Sequence, residues 1–415
     1  MTTMDGVADD AVERGTSKGY RQGTDRLVAP TETLERVRPH FARMGITRVA
    51  NVTGLDIIGV PVVMASRPNS RSVNVSQGKG LALDAAKASA VMEASEGYHA
   101  EHIRKPLVAG TYQEIQDSRS VIDIFQLPLD DRRTVRDDRT MLWIEGRELV
   151  RDEPIWVPYD IVHTDFRTTS PYGKGTFVCS ANGLASGNHL LEAVSHATCE
   201  LIERDGSRLW TMLSREARRE TCLDLDTVDD VDCREVLDKL AAAKTAVRVW
   251  ETTTDVGLPS FRCVIAEDPD HAVLPLYPAA GFGCHLRREI ALLRALTEAV
   301  QSRLTLISGM REDTGRTEYE RLRSRRNLDL VWAGLTQPLP GRDFRAVPTY
   351  SYGSFEQDIA LENEKLRSVG IEQVVVVDLS KPEIGLPVVR VVIPGLLGPE
   401  GAPGRRAESF LGRHR

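Results

Sequence analysis

The chain puts glutamates on the apolar faces of three separate helical patterns, and this limits what it can fold into. In the first, over residues 83–103, the segment ASAVMEASEGYHAE carries Glu93 and Glu96 three residues apart among small and apolar neighbours, so both point to one face. In the second, over residues 190–214, Glu192, Glu200 and Glu203 occur in LLEAVSHATCELIERDG. At about 100° per residue the later two fall about 80° and 20° from Glu192, so all three share one broad stripe. Val194, Ala197, Leu201 and Ile202 flank that stripe and draw it towards the interior. In the third, over residues 287–309, Arg294, Glu298 and Gln301 share a face at spacings of four and three. A buried carboxylate without a cation is costly. Few lysines or arginines lie on these faces. Clustered carboxylate oxygens without His or Cys suit a hard divalent ion, magnesium, which often completes its shell with phosphate oxygens.

The chain is long enough to build such an interior. It has 415 residues, 41% of them hydrophobic, and a prior of roughly 150 residues per domain suggests two or three units. Helical and strand patterns interleave, which predicts a mixed α/β (α+β) architecture. A net charge of −7 excludes the basic footprint of a nucleic-acid binder. No apolar run approaches the ~20 residues that span a bilayer. The polar N-terminus has no apolar signal core, so a cytoplasmic protein is expected. Cys179, Cys199, Cys222, Cys233, Cys263 and Cys284 form no CxxC pair and read as reduced thiols.

Residues 1–25 and 399–415 are rich in Gly, Arg and polar residues and are expected to be flexible, leaving one domain over 26–398. Strands are expected over 47–52, 57–65, 141–144, 154–162, 246–251, 259–267, 274–281, 374–379 and 388–393. The stretch 311–328 reads as surface, and 107–138 as loop-rich. Two glycine segments, SQGKG (residues 76–80) and NGLASGN (residues 182–188), precede the first two acidic helices. Glycine lets backbone amides approach an anion, and a helix N-terminus adds a favourable dipole. Neither segment matches the Walker or the dinucleotide pattern.

In order, SQGKG with ASAVMEASEGYHAE, SANGLASGN with LEAVSHATCELIERD, and GFGCH with ALLRALTEAVQSRL resemble the three signature blocks of the YcaO superfamily, over roughly residues 48–305. The resemblance implies an ATP-dependent fold distinct from P-loop and kinase folds. In it, β-sheets pack with glutamate-bearing helices around a nucleotide cleft. It implies that Glu93, Glu96, Glu200 and Glu203 hold Mg2+ and that Glu192 and Asn188 contact metal and nucleotide. Arg204, Arg294 and Glu298 would contact ATP. Ser76 and Lys79 would line the same cleft, and Arg26 and Thr33 would reach the nucleotide from the N-terminal side.

Two departures refine the expectation. The family often has an arginine directly after the second glutamate of its first block, whereas here Gly97 and Tyr98 follow Glu96. The GYHAE variant looks like the subgroup that accompanies a TfuA protein. Azoline-forming members usually end in a PxPxP tail, and this chain ends FLGRHR. The resemblance therefore implies activation of a backbone amide in a ribosomally made precursor peptide by O-phosphorylation, giving a thioamide with a TfuA-type partner. The alternatives are an azoline-forming cyclodehydratase acting on Cys, Ser or Thr, and a non-catalytic peptide-binding scaffold. A homodimer stays open. No catalytic base is assigned: His99, His102, His189 and His196 lie at or on the acidic helices, where a lone histidine is more often structural or exposed.

Overall fold

Each acidic helix grows out of a short strand after a link of the same length. Strand Val75–Lys79 leads to helix Leu83–Glu101, strand Leu184–Ser186 to helix Leu190–Met212, and strand Ala279–Cys284 to helix Arg288–Ser308, with three residues between strand and helix each time. The computed structural model describes residues 16–129, 136–167, 175–270, 276, 278–309, 317, 320, 324–398 and 405–412.

The first and third of these strands close three-stranded antiparallel sheets. One comprises Arg48–Asn51, Val62–Ser66 and Val75–Lys79, and the other Thr245–Glu251, Ser260–Glu267 and Ala279–Cys284. The second strand lies at the edge of a larger antiparallel sheet. There Leu107–Gly110, Met141–Glu148, Val375–Asp378, Val388–Val392 and Leu184–Ser186 are neighbours in that order, and Glu153–Pro158 pairs with Met141–Glu148. The mixed architecture is the one expected; most expected strands recur with boundaries shifted by a few residues, but Val75–Lys79, Leu184–Ser186 and, in the stretch read as loop-rich, Leu107–Gly110 were not expected, and residues 274, 275 and 277 of the expected strand 274–281 lie outside the described residues.

The glycines of the first and third blocks serve packing. A Cβ on Gly78 would stand 2.1 Å from the backbone nitrogen of Ala90 and 2.2 Å from the carbonyl oxygen of Ala86. On Gly281 it would meet the Ala295 oxygen and the Ala299 nitrogen, both at 2.2 Å. Only a residue without a side chain lets strand and helix backbones come that close. SQGKG is thus a strand pressed on a helix, and not the anion-cradling turn that its glycines suggest.

Both chain ends depart from expectation. From residue 16 the N-terminal segment is packed: Lys18 Nζ lies 2.9 Å from Asp25 and 2.6 Å from Asp358, with all three side chains at most 1% exposed. That pairing spans the sequence, so local composition does not announce it. The tail carries helix Arg405–Gly412, whose Ala407 and Phe410 are buried against Leu209. Arg406 reaches Asp205 at 3.0 Å and Asp255 at 2.6 Å. Arg406, one of the arginines that made the tail look solvated, ties it down. Residues 1–15, 399–404 and 413–415 lie outside the described residues. Two further helices, Arg325–Thr336 and Phe355–Ser368, occupy stretches that showed no helical signal.

Candidate active site

The three acidic helices, strand Val75–Lys79 and the N-terminal segment enclose a cleft of about 590 Å³. Arg26, Thr33, Lys79, Glu93, Glu96, Asn188, Glu192, Glu200, Glu203, Arg204, Arg294 and Glu298 all line it. Residues scattered over more than 270 positions of sequence are thereby brought to one wall. Ser76 is the exception. Val75, Gln77 and Lys79 face the cleft, so the alternation of the strand turns Ser76 to the other side. Its assignment to the nucleotide site is corrected on that ground.

Several polar groups of the cleft are held in place. The Glu192 carboxylate, 2% exposed, accepts from the Leu27 amide at 3.0 Å and from Arg26 at 3.3 Å. This docks the N-terminal segment onto the second helix. Asn188 donates to Thr33 Oγ1 at 3.0 Å and accepts from Arg36 at 3.1 Å. Lys79 Nζ lies 2.7 Å from Glu298. One oxygen of Glu96 accepts from both the amide (2.9 Å) and the hydroxyl (2.6 Å) of Ser186. Arg204 stands 3.7 Å from Glu200 and 3.6 Å from Glu203. Arg294 donates to the Cys284 carbonyl at 3.1 Å and touches His196.

The electrostatics show carboxylates in want of positive charge. Burial pushes Glu96 up to about 8, against the pull of Ser186 and with Glu93 and Glu200 adding to the rise. Burial also lifts Glu203 to about 7, with Arg204 opposing and Glu298 adding. Glu200 is raised for the same first reason. Glu298 is the contrast: burial would raise it, but Lys79 and then Arg204 hold it below the usual carboxylate range. A divalent cation at the acidic end would favour the charged forms.

The donor set fits that ion and a phosphate-bearing ligand. Among the described residues no three His, Cys, Asp or Glu side chains form a ready cage by themselves. Carboxylates spread around a cleft suit Mg2+, which keeps waters and shares its shell with phosphates. Arg204 Nε and His196 Nδ1 are buried without a hydrogen-bond partner. An orphaned guanidinium N–H facing the acidic end is a ready anion donor.

The histidines are structural where a partner is visible. His99 Nδ1 contacts the Ser95 carbonyl at 2.7 Å, His102 Nδ1 the Tyr98 carbonyl at 3.0 Å, and His189 caps its helix by accepting from the Leu191 amide at 3.2 Å. Only His196 reaches the cleft. The GYHAE variant proves to be one packed unit. Arg67 binds Glu101 at 2.6 Å and lies over the Tyr98 ring, and a Cβ on Gly97 would come within 2.8 Å of its Nη1. Glu101 is spoken for by Arg67, Ser70 and Ser72, and Arg67 does not line the cleft, so it does not replace the absent family arginine. Sequence reasoning missed Arg36 and Ser186. Arg36 was within reach, since it lies three residues after Thr33 on one helix face. Ser186 sits on a strand distant from Glu96 and gave no signal.

Comparison with known proteins agrees with this geometry. Residues 77–397 match the family model described as YcaO cyclodehydratase, ATP- and Mg2+-binding. An uncharacterized protein in the tfuA 3' region of Rhizobium leguminosarum bv. trifolii is 35% identical over 409 residues, covering 95% of this chain and 94% of the relative. An uncharacterized protein of Methanothermobacter thermautotrophicus is 36% identical over 403 residues, covering 93% and 99%. Among solved structures, the YcaO protein of Methanopyrus kandleri, bound with AMPPCP and Mg2+, superposes with a TM-score of 0.72 at 23% identity, covering 94% of this chain and 99% of that one. A heterocyclase in complex with substrate and cofactor superposes with a TM-score of 0.75 at 22% identity; this chain spans about half of it, 53%, while 91% of this chain is covered. At those identities the structures show a shared fold. Together with the family match and the full-length relatives, they establish that the chain belongs to the YcaO family of ATP- and Mg2+-binding proteins.

Proposed function

We propose that this chain activates a backbone amide of a ribosomally made precursor peptide with ATP and Mg2+, and that a sulfide-level nucleophile then converts the amide to a thioamide, with a TfuA-type protein as partner. The observation that carries the amide-activation reading is the acidic end of the cleft. There Glu203 is buried and Glu96 half-buried, and desolvation raises their carboxyls to about 7 and about 8, beside an arginine with an orphaned N–H. Nothing in the packing requires so many inward acids, and a scaffold that had lost catalysis would have no use for them. Glu93, Glu96, Glu192, Glu200 and Glu203 would hold Mg2+. Arg204, Arg294, Lys79, Arg26 and Asn188 would orient ATP. When bound, ATP supplies the phosphoryl group that turns the amide oxygen into a phosphate leaving group, so that amide, hydrosulfide and ATP yield thioamide, ADP and phosphate.

The chain's own share is positioning and charge. Arg204 and Lys79, both lining the cleft, would neutralise phosphate charge. Glu298, ionised beside Lys79, fixes the direction of that ammonium. The Glu192 bonds to Arg26 and Leu27 keep the N-terminal segment closed over the cleft.

The tfuA-region relative, 35% identical along nearly its whole length, supports the thioamide outcome. The cyclodehydratase family description favours an azoline as the second reading. The test is incubation with the precursor peptide encoded nearby, ATP, Mg2+, a sulfide source and the TfuA-type protein, followed by accurate mass measurement. Exchange of oxygen for sulfur adds about 16 Da, and cyclodehydration removes about 18 Da, from the same activation chemistry. A sulfide-dependent gain at a residue without a nucleophilic side chain is the expected result; isotopic sulfur distinguishes it from Met oxidation. A sulfide-independent loss at Cys, Ser or Thr would leave amide activation standing and remove the thioamide.

A further inference from the structure

A second cavity opens beside the acidic end of the cleft and shares two residues with it, Asn182 and Arg204. Its wall is apolar: Leu127, Ile161, Val178, Leu201, Ile393 and Leu396 contribute most of it. Its volume is about 60 Å³. One water needs ~10–15 Å³ on this measure, so the cavity holds about four to six such spheres, which matches an aliphatic side chain of Val-to-Met size. No acidic or basic side chain other than Arg204, at the shared edge, lines it. A basic side chain would therefore lose its hydration without finding a partner, and an acidic one could find only Arg204, at the edge and outside the apolar wall.

The wall is built to keep its shape. Arg390 is 1% exposed and has no carboxylate partner among the described residues; it spends its guanidinium on backbone carbonyls, those of Val162 (3.1 Å), Ser180 (2.9 Å) and Asn182. This pins the segment around Val178 to the sheet. On the other side the Leu397 amide donates to Asp205 at 3.0 Å, and the Gly395 amide to the Gln126 carbonyl at 3.1 Å. The floor is thus tied to the second acidic helix, one residue past Arg204.

We infer that this cavity receives an apolar side chain of the substrate peptide, of Val-to-Met size, from the residue next to the amide being activated. The inference rests on the amide-activation reading for the identity of the ligand, and on the cavity itself for its chemistry. Continuity through Asn182 and Arg204 makes the assignment: a side chain seated here brings its own backbone to the shared edge. There the Asn182 amide and the Arg204 N–H groups can bind a peptide carbonyl, and the neighbouring carboxylate end is where phosphate chemistry would occur.

The probes are N-acetyl amides of leucine, methionine, glycine and aspartic acid, added to the full chain labelled at its Val, Leu and Ile methyl groups. Leucinamide and methioninamide are expected to shift the methyl resonances of Val178, Leu201 and Leu396, and to bind about tenfold or more tightly than glycinamide or aspartamide. Val178→Trp should abolish the shifts at Leu201 and Leu396. Val178→Ala, which leaves the fold least disturbed, should lengthen the cavity and move the preference from leucine towards methionine. Mg2+-ATP affinity, measured by calorimetry on the same samples, should stay unchanged in both variants. Equal affinity for all four probes, or the same preference in wild type and Val178→Ala, overturns the inference. Failure of wild type to bind Mg2+-ATP would instead overturn the amide-activation reading, whatever the probes do.

Discussion

Ser186 grips a single oxygen of Glu96 twice, with its amide at 2.9 Å and its hydroxyl at 2.6 Å. Two donors on one oxygen aim the other oxygen into the cleft and partly offset the cost of burial. Ser186→Ala should keep the amide bond and lose the hydroxyl bond, a contact worth about 1.5–3 kcal/mol at most once a bound cation ionises Glu96. Calorimetry should show Mg2+-ATP affinity falling by about tenfold, with the fold intact by circular dichroism. Unchanged affinity would mean that Glu96 does not meet the ligand.

Glu200→Gln removes one charge from the group that includes Glu203 and Glu96. Mg2+-ATP binding should weaken by about a hundredfold or more, since a charged ligand to the metal is lost. Burial raises Glu200 in the free protein. Its folded value thus lies above its unfolded one, and at neutral pH its ionisation detracts from stability. The variant should therefore melt at a higher temperature than wild type without ligand and at a lower one with Mg2+-ATP. The same order of melting temperatures in both conditions would rule out Glu200 as a ligand.

The acid-bearing helices and their order were legible because burying a carboxylate is costly enough to leave a pattern: an acid among small apolar neighbours stands out. Glycine gave a false lead at SQGKG. Its freedom serves equally for anion approach and for backbone contact, and what decides is that a Cβ on Gly78 would stand 2.1 Å from the Ala90 nitrogen. Ser76 was misplaced because a motif names a segment, whereas a strand exposes alternate residues to opposite faces. The ends were misread for a different reason. Lys18 with Asp358 and Arg406 with Asp205 are pairs between distant segments, and charged residues seen singly look solvated. Helix Phe355–Ser368 hid because it buries Asp358 and Glu362 along with Phe355 and Ile359, which blurs its apolar stripe.

Glu362 provides a pH test away from the cleft. It is 1% exposed, Ser195 donates to one oxygen at 2.6 Å, and the other oxygen has no partner. Burial pushes it well above its ordinary 4.5, with Cys199 adding. The folded state therefore holds a proton that the unfolded state releases near pH 4.5, and the associated stability is present below that pH and is lost as pH rises towards the folded value. Glu362→Gln keeps shape and neutrality. Thermal melts should show no change at pH 4 and a gain on the order of 2 kcal/mol at pH 8. A gain independent of pH would show that Glu362 is not protonated in the fold.

The tail should matter to stability. Removing residues 399–415 takes away the Phe410 and Ala407 packing on Leu209 and leaves Asp205, 0% exposed, without Arg406. Breaking one side of a buried pair costs about 3–5 kcal/mol. Arg406→Ala alone should reproduce most of the loss in a denaturant titration. Arg406→Ala with Asp205→Asn should recover part of it, because no charge is then stranded. If truncation left the midpoint unchanged, the helix would be decorative.

Gly97 bears on the missing family arginine. The position faces Arg67 Nη1, with a Cβ coming within 2.8 Å of it and 3.7 Å of Glu101 Oε1. Gly97→Arg would thus press a second guanidinium on the one that holds Glu101, a carboxylate that Arg67, Ser70 and Ser72 already satisfy. Helix propensity alone would favour the change by about 1 kcal/mol. Like-charge contact and the loss of the Arg67–Glu101 geometry act the other way, and breaking a buried pair outweighs propensity. Gly97→Arg should lower stability by about 2–4 kcal/mol, with no gain in Mg2+-ATP affinity. Removing the competitor gives the control: in an Arg67→Ala background the same substitution should cost far less, because the new guanidinium can take Glu101 for itself, and the double-mutant cycle should show a coupling of about 1–3 kcal/mol. Additive effects would mean that Gly97 and Arg67 are not one unit, and a rise in nucleotide affinity would mean that the arginine's place in the site was left vacant rather than closed by packing.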